Sequence, residues 1–173
     1  MTFRPKSVSK KEKIVAVLCA VFSIVLFAVS GIVPTLVVLY QISAFLLAVV
    51  SIEIYIKYVA SDYIYEACDD CFKVYKVTGK RSICVSSLDY EMSLSQVVSN
   101  VEYDEEKERF PRSNFNVNFC KNLAPQSYYV YFFEFNGKKS MMKFEPDSVF
   151  ADYINDKIAQ AWEKSESQDE EDN

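Results

Sequence analysis

The sequence has no histidine and a long stretch without charge, and both absences restrict what the protein can do. Histidine is the commonest general acid or base near neutral pH and the commonest metal ligand, so its absence disfavours most enzyme mechanisms. The acidic residues cluster in predicted loops and in the tail, not in apolar pockets that would separate their pKa values. We therefore predict that the protein is not an enzyme and has no cofactor.

The uncharged stretch covers residues 14–52. A helix needs about 20 apolar residues to cross a hydrocarbon layer of roughly 30 Å, so this stretch is long enough for two spans. A glycine and a proline in residues 31–35 separate them. We predict a transmembrane helical hairpin over residues 14–60, in contact with the lipid bilayer and with its turn at 31–35. Neither span contains an ionisable residue, which disfavours a transport pathway.

The charges that flank the spans predict the topology. Residues 1–13 hold five basic side chains and one acidic one, so we predict a basic cytoplasmic N-terminus. With two spans both termini lie in the cytoplasm, and the protein is a multi-pass protein of the cell (inner or plasma) membrane. A signal peptide cleaved near residue 30 is an alternative, and the second span would then stop transfer and leave the main domain cytoplasmic. Predicted interfacial anchors at the end of the second span are Tyr55, Lys57 and Tyr58.

From residue 62 onward the pattern predicts an antiparallel β domain. Aromatic and β-branched residues form short runs that turn residues separate, among them Asp69-Asp70 and Asn136-Gly137. The predicted strands are seven: 63–68, 71–77, 81–86, 94–103, 115–119, 127–135 and 138–144. Residues 104–112 are predicted to be a charged loop outside the core, apolar residues from Val149 to Trp162 predict one amphipathic helix, and residues 165–173 are predicted to be a disordered acidic tail.

The aromatic run at residues 128–135 places large apolar side chains on both faces of one predicted strand. The odd-numbered residues 129–133 share one face, and the even-numbered residues 128–132 share the other. One face must pack in the core. The other either covers a neighbouring element or forms an exposed partner surface, and we favour the structural role.

Seven strands followed by one C-terminal amphipathic helix are the element order of a pleckstrin-homology-like (PH-like) barrel. The segments that carry this likeness are 63–81, 94–103, 128–144 and 147–162. The chain resembles bacterial membrane-anchored proteins with a cytoplasmic PH-like domain, over residues 62–164. The resemblance implies a barrel or paired sheets capped by the helix, which bind a protein, a peptide or a membrane surface, with no catalytic residues to carry over.

Lipid-binding members of the wider fold use basic residues around the loop that joins the first two strands. Here that loop is Asp69-Asp70, which disfavours phosphoinositide binding. Basic residues elsewhere are candidate contacts for lipid headgroups or a partner. These candidates are Lys73, Lys76, Lys80, Arg81, Lys138 and Lys139. Because acidic residues are interspersed with them along the sequence, we interpret them as a solvated strand face.

Cys68 and Cys71 form a Cys-x-x-Cys pair, which is typical of metal and redox sites. A structural zinc would need two further ligands, and only Cys84 and Cys120 are available, singly and far apart in the sequence. A redox motif would sit at a helix N-terminus, whereas these cysteines flank a predicted turn. We therefore predict that they are reduced thiols in a cytoplasmic domain, with no metal.

Together these features predict a membrane-anchored, non-enzymatic binding or scaffold protein. Its PH-like domain is expected to engage an unidentified protein partner, a second copy of the chain or the membrane surface. Two alternatives are a metal- or redox-responsive module that uses Cys68 and Cys71, and a small oligomeric membrane scaffold or channel. The net charge of −5 disfavours nucleic-acid binding, and the sequence identifies no small-molecule substrate.

Overall fold

The computed structural model describes residues 1–6, 10–32 and 36–171, and for residues 168–171 it describes the backbone only. The chain divides into two units. The helical unit is Ser7–Asp62, and the β unit combines Met1–Lys6 with Tyr63–Asn173. Met1–Lys6 lies in the segment that the sequence predicted to be a basic flank of the membrane hairpin.

The helical unit contains two apolar helices, α1 (Lys11–Ser30) and α2 (Val37–Ile54), and α2 continues into a π-helical turn, Tyr55–Val59. Both are long and apolar enough to cross a membrane. Gly31 and Ile32 begin a turn after α1, and the remaining predicted turn residues, 33–35, lie outside the described residues.

Small residues let α1 and α2 approach closely. Ala16, Ala44 and Ser51 are buried in the helical unit. The Ser23 hydroxyl donates to the carbonyl of Ala44 at 2.7 Å, and the Ser51 hydroxyl donates to the carbonyl of Ala16 at 2.7 Å. Hydrogen bonds of this kind between apolar helices contribute on the order of 1 kcal/mol each. They join the two helices at two points along their length.

The β unit has eight strands in two four-stranded sheets. The first sheet has the order β1-β2-β3-β4, and these strands are Thr2–Phe3, Ser61–Ala67, Cys71–Thr78 and Arg81–Asp89. The second has the order β5-β7-β8-β6, and these strands are Val98–Ser99, Tyr129–Phe135, Lys138–Phe144 and Phe115–Asn118. In the described part of the chain the sheets do not close into a barrel, so the prediction of a barrel of about seven strands was correct only in its mostly antiparallel character and closing helix.

Turn chemistry accounts for the hairpins. Asn136 and Gly137 both have positive φ angles, 50° and 70°, as a type I′ turn between β7 and β8 requires. Gly79 has a φ of 61° in the two-residue turn between β3 and β4. The β6–β8 pair is parallel, unlike the two hairpins, and joins Phe115 to Ser140 in register.

The predicted strand at residues 94–103 is wrong. Only Val98–Ser99 is extended, and a short helix, α3 (Asn100–Glu105), follows it. The Ser99 hydroxyl accepts a hydrogen bond from the Glu102 amide at 3.2 Å. Ser-x-x-Glu is the sequence of a capping box, so the helix start was present in the sequence and the apolar alternation obscured it.

The main core lies between the two sheets and the closing helix, α4 (Ser148–Glu171). Burial alternates along β2, and the rings of Tyr65, Phe72 and Phe144 meet inside, with centroids 5.2 to 6.4 Å apart. Phe150, Ile154 and Ile158 of α4 are fully buried against them. Aromatic contacts of this kind contribute about 1 kcal/mol each beyond the area that they bury.

A second, smaller core covers the other face of β7. Val130 and Phe132 are buried there, and Tyr103 and Phe110 pack over them. The Phe110 and Phe132 rings stack with centroids 5.3 Å apart. Both faces of β7 are therefore structural, and the prediction that residues 104–112 lie outside the core was wrong for Phe110.

An aspartate caps the start of α4. The Asp147 carboxylate accepts a hydrogen bond from the Phe150 amide at 2.8 Å. The helix continues past Trp162 to Glu171, through most of the acidic segment that was predicted to be disordered. Residues 172–173 lie outside the described residues.

Candidate interaction surface

The first residues of the chain are a strand of the β unit. Thr2 pairs with Glu66, and Phe3 pairs with Tyr65. The Met1 ammonium donates to the carbonyl of Ala67 at 2.6 Å, and the Ala67 amide donates back to the carbonyl of Met1 at 2.8 Å. These contacts add a strand to the edge of the first sheet, which the sequence prediction missed because two residues are too few to show a periodic pattern.

The side chain of Phe3 fixes this strand to the core. Its ring lies parallel to that of Tyr65, with centroids 6.3 Å apart, and its centroid is 5.7 Å from that of Phe150. Phe3 therefore connects β1 to β2 and to α4. The carbonyl of Lys6 also accepts a hydrogen bond from the Asn122 side chain, at 3.4 Å.

A buried carboxylate holds the loop that contacts this N-terminal segment. Glu145 is buried, and one of its oxygens accepts hydrogen bonds from the amides of Lys121 and Asn122, at 2.6 and 3.0 Å. Its other oxygen accepts from the side chain of Asn122 at 3.1 Å. The Tyr65 hydroxyl donates to the carbonyl of Phe119 at 2.9 Å and accepts from the Glu145 amide at 3.2 Å, and burial raises the pKa of Tyr65. Glu145 thus has a structural role, and nothing in its sequence context signalled it.

The six predicted basic contacts fall into two separate groups, one on each sheet. Lys73 and Lys76 lie on β3, Lys80 is in the following turn and Arg81 begins β4. The other two, Lys138 and Lys139, begin β8 at the β7–β8 turn, and Lys139 lies opposite Glu134.

Within the first group, Lys73 has a different environment from the other three. The nearby Cys71 and Cys68 thiols raise the pKa of Lys73 electrostatically. Lys76 lies opposite Ile83, and Arg81 lies opposite Thr78 at the closed end of the hairpin. The basic residues of the tip are therefore Lys76, Lys80 and Arg81, which we call the basic tip.

Three acidic residues near this hairpin lie at its opposite end. Asp69 and Asp70 form the turn before β3, and Asp89 lies opposite Cys71. Asp69 forms an ion pair with Lys157 of α4 at 2.9 Å, and this hydrogen bond lowers the pKa of Asp69. These three carboxylates are thus separated from the basic tip, whereas Glu66 of β2 lies near Lys73. A shallow polar cleft of about 240 Å³ surrounds the ion pair, and its lining includes Tyr90, Gln160 and Lys164.

Cys68 and Cys71 face each other across the same turn. The Cys68 amide donates to the carbonyl of Cys71 at 2.9 Å. Burial, followed by the neighbouring Cys71 thiol, raises the pKa of Cys68, so less of it is thiolate at neutral pH than for an ordinary cysteine. Cys84 is exposed and Cys120 is buried, and among the described residues no three His, Cys, Asp or Glu side chains are placed to hold a metal.

We predict that Cys71→Ser leaves the protein folded and functional in membranes. The thermal unfolding midpoint should change by no more than about 2 °C, because Cys71 is only half-buried and, among the described residues, belongs to no group of three potential metal ligands. Purified full-length protein should contain no stoichiometric zinc. A zinc atom per chain that is lost in the variant would instead support the metal-dependent alternative.

The predicted interfacial anchors lie together in the π-helical turn that follows α2. Tyr55 is exposed, and the Lys57 ammonium lies 5.1 Å from the ring centroid of Tyr58. A cation over a tyrosine ring is favourable where the ring is partly dehydrated. The arrangement is compatible with the headgroup level of a bilayer.

Comparison with known families agrees with this architecture. Residues 4–163 match the family described as "Bacterial PH-like domain (DUF6106)". The chain therefore belongs to this family of bacterial PH-like domains, a family of unknown function. No curated protein and no solved structure matches the chain.

Proposed function

We propose that the protein is a two-span membrane protein whose β unit is a non-enzymatic binding domain in the cytoplasm. The proposed two-span topology rests on the pairing of β1 with β2. The chain leaves the β unit after Lys6, passes through α1 and α2, and returns to the same unit at Tyr63. A folded unit lies on one side of a membrane, so the number of spans between these points must be even.

The flanking charges support the cytoplasm as that side. Lys6, Lys10, Lys11 and Lys13 precede or begin α1, and Lys57 follows α2, whereas the segment between the helices carries no charge. Basic flanks are retained in the cytoplasm. The pairing of β1 also argues against signal-peptide cleavage near residue 30, because cleavage would remove a strand and the Phe3 ring from the β unit.

The binding role rests on what the β unit offers chemically. The chain contains no histidine, and Glu145, a carboxylate buried in the β unit, is held by hydrogen bonds from Lys121 and Asn122. The shallow cleft contains an ion pair and has a mostly polar lining, whereas small-molecule pockets are mostly apolar. The edge strand β4 and the basic tip instead present an extended surface for a large partner.

Cysteine labelling tests the topology. In a cysteine-free full-length background, single cysteines would replace Thr2, Ile32 and Lys80. We expect a membrane-impermeant maleimide to label position 32 in intact cells, and positions 2 and 80 only after permeabilisation. Ile32 is 78% exposed, so its accessibility is not limited by packing.

Labelling of position 2 from outside would contradict the proposed topology, and so would protection of position 32 in intact cells together with labelling after permeabilisation. The cysteine-free protein is the control for background. Enzymatic turnover of any substrate by the purified protein would contradict the non-enzymatic role.

A further inference from the structure

The charged side chains of the β3–β4 hairpin are all basic, although the chain as a whole is acidic. Residues 71–88 contain four basic side chains and no acidic one, whereas the whole chain has a net charge of −5. Within the described residues, no ion pair joins Lys76, Lys80 or Arg81 to a carboxylate. The basic tip thus has no ion-pair partner among the described residues.

Strand geometry places three nearby acidic residues far from this tip, whereas Asp62, the second residue of β2, lies at the tip end of the sheet. Asp69, Asp70 and Asp89 lie where β3 begins, and the tip lies where β3 ends, at Thr78. At 3.3 Å per residue the two ends are about 23 Å apart, more than two Debye lengths at physiological ionic strength. The acidic end therefore does not screen the basic tip.

Exposed apolar side chains lie beside the basic ones. Ile83 is 62% exposed and lies opposite Lys76, and Val85 is 41% exposed on the same strand. Apolar residues framed by lysine and arginine suit the headgroup region of an anionic bilayer, where ammonium and guanidinium groups meet phosphates and the apolar groups leave water. An acidic soluble partner would not by itself account for Ile83.

The connectivity of the first sheet also supports an anionic bilayer as the ligand. The two-residue turn at Asp69-Asp70 makes β2 and β3 antiparallel, so the end of β3 lies at the edge of the first sheet where β2 begins. β2 begins at Ser61, immediately after the π-helical turn that extends the second apolar helix. The tip thus belongs to the end of the sheet at which the chain arrives from its second span.

We infer that Lys76, Lys80 and Arg81, with Ile83 beside them, dock the β unit onto the anionic surface of the bilayer that holds its spans. This inference rests on the proposed membrane anchoring. It replaces the sequence-based interpretation of these residues as a solvated strand face, and it excludes Lys138 and Lys139, which lie on the other sheet.

The test uses the full chain in lipid nanodiscs and a label on Cys84, which is exposed on β4 beside the tip. Cys19, Cys68 and Cys71 would become serine, and Cys120 alanine. A polarity-sensitive fluorophore on Cys84 should shift to the blue, and should be quenched by a lipid-borne quencher, in nanodiscs that contain phosphatidylglycerol. In nanodiscs of phosphatidylcholine alone, its emission should be that of a fluorophore exposed to water.

Removing the positive charge of the basic tip should abolish the blue shift and the quenching of the Cys84 label. Each basic residue near an anionic leaflet raises the ratio of membrane-bound to unbound β units about fivefold. The triple substitution Lys76→Gln, Lys80→Gln and Arg81→Gln should therefore lower this ratio on the order of a hundredfold. The matched control, Lys138→Gln with Lys139→Gln, should leave the ratio within about twofold of the parent protein. Both variants keep the strands intact, because all five side chains lie at hairpin ends.

A label that reports water in both lipids would overturn the inference, and so would a shift that follows protein concentration but not lipid charge. Carbonate extraction of native membranes that contain the same variants separates this from failure of the proposed function. Protein that stays in the membrane with a water-exposed tip contradicts the docking alone. Protein that carbonate removes contradicts the membrane anchoring, and the inference with it.

Discussion

Replacing Phe3 by aspartate is expected to lower the free energy of unfolding of the β unit by about 3 kcal/mol. The substitution removes a ring that contacts Tyr65 and Phe150, and it places a carboxylate against the apolar core. Urea unfolding of the full-length protein in nanodiscs measures the change. The emission of Trp162 reports on the β unit, because it is the one tryptophan of the chain and packs against the main core.

Thr2→Asp is the matched control, since it introduces the same charge at an exposed position of the same strand. It should change the free energy of unfolding by no more than about 1 kcal/mol, most of it from repulsion between the new carboxylate and Glu66 on the opposite strand. Equal effects of the two substitutions would mean that charge near the N-terminus, and not the docking of Phe3, determines stability. No effect of either would contradict β1 as part of the fold.

Glu145→Ala is expected to destabilise the β unit by a similar amount, about 3 kcal/mol. It leaves the buried amide of Lys121 and the part-buried amide of Asn122 without their acceptor, and each such group costs about 1 to 3 kcal/mol when it loses its hydrogen bond. The same urea titration measures the loss. Because Asn122 also contacts the carbonyl of Lys6, this substitution should loosen the N-terminal segment as well.

Glu134→Ala removes a carboxylate from an exposed position on β7 and serves as the comparison, with an expected change of no more than about 0.5 kcal/mol. Glu145→Gln should fall between the two, because its amide oxygen keeps one acceptor while the charge is lost. A neutral effect of Glu145→Ala would mean that water replaces the carboxylate and that the loop is not held in the way described.

Much of the architecture was predictable because its signals are local. Residues 14–52 lack charge, and length alone then indicates two apolar helices. Asn136-Gly137 indicates a type I′ turn, and both residues adopt the positive φ angles that it needs. The apolar spacing from Val149 to Trp162 indicates the closing helix.

The failures have a common physical origin in contacts between distant parts of the chain. β1 is two residues long and is stabilised by Ala67 and Tyr65, more than sixty positions away, so no window around Thr2 could indicate a strand. The parallel pairing of β6 with β8 depends on the tertiary fold in the same way. Residues 94–103 differ, because Ser99 and Glu102 carried a local helix signal that apolar alternation outweighed.

The basic candidates show the same limit. Along the sequence, acidic residues lie on either side of Lys73, Lys76, Lys80 and Arg81, which predicts a mixed surface. The hairpin places Asp69, Asp70 and Asp89 at one end and the basic tip at the other, and only the strand register shows this. Whether these basic residues contact a ligand or form a solvated strand face stays a prediction.

The central claim is that both ends of the apolar hairpin belong to one folded unit on one side of the membrane. Disulfide crosslinking of Thr2→Cys with Glu66→Cys, in a cysteine-free full-length chain in native membranes, tests it directly. The two residues lie opposite each other in an antiparallel pair, where Cα separations of about 4.5 to 5.5 Å suit a disulfide. We predict that oxidation forms a disulfide within the monomer, so that a maleimide polymer no longer adds to either cysteine. The absence of a crosslink, together with labelling of position 2 from outside intact cells, would contradict the proposed topology.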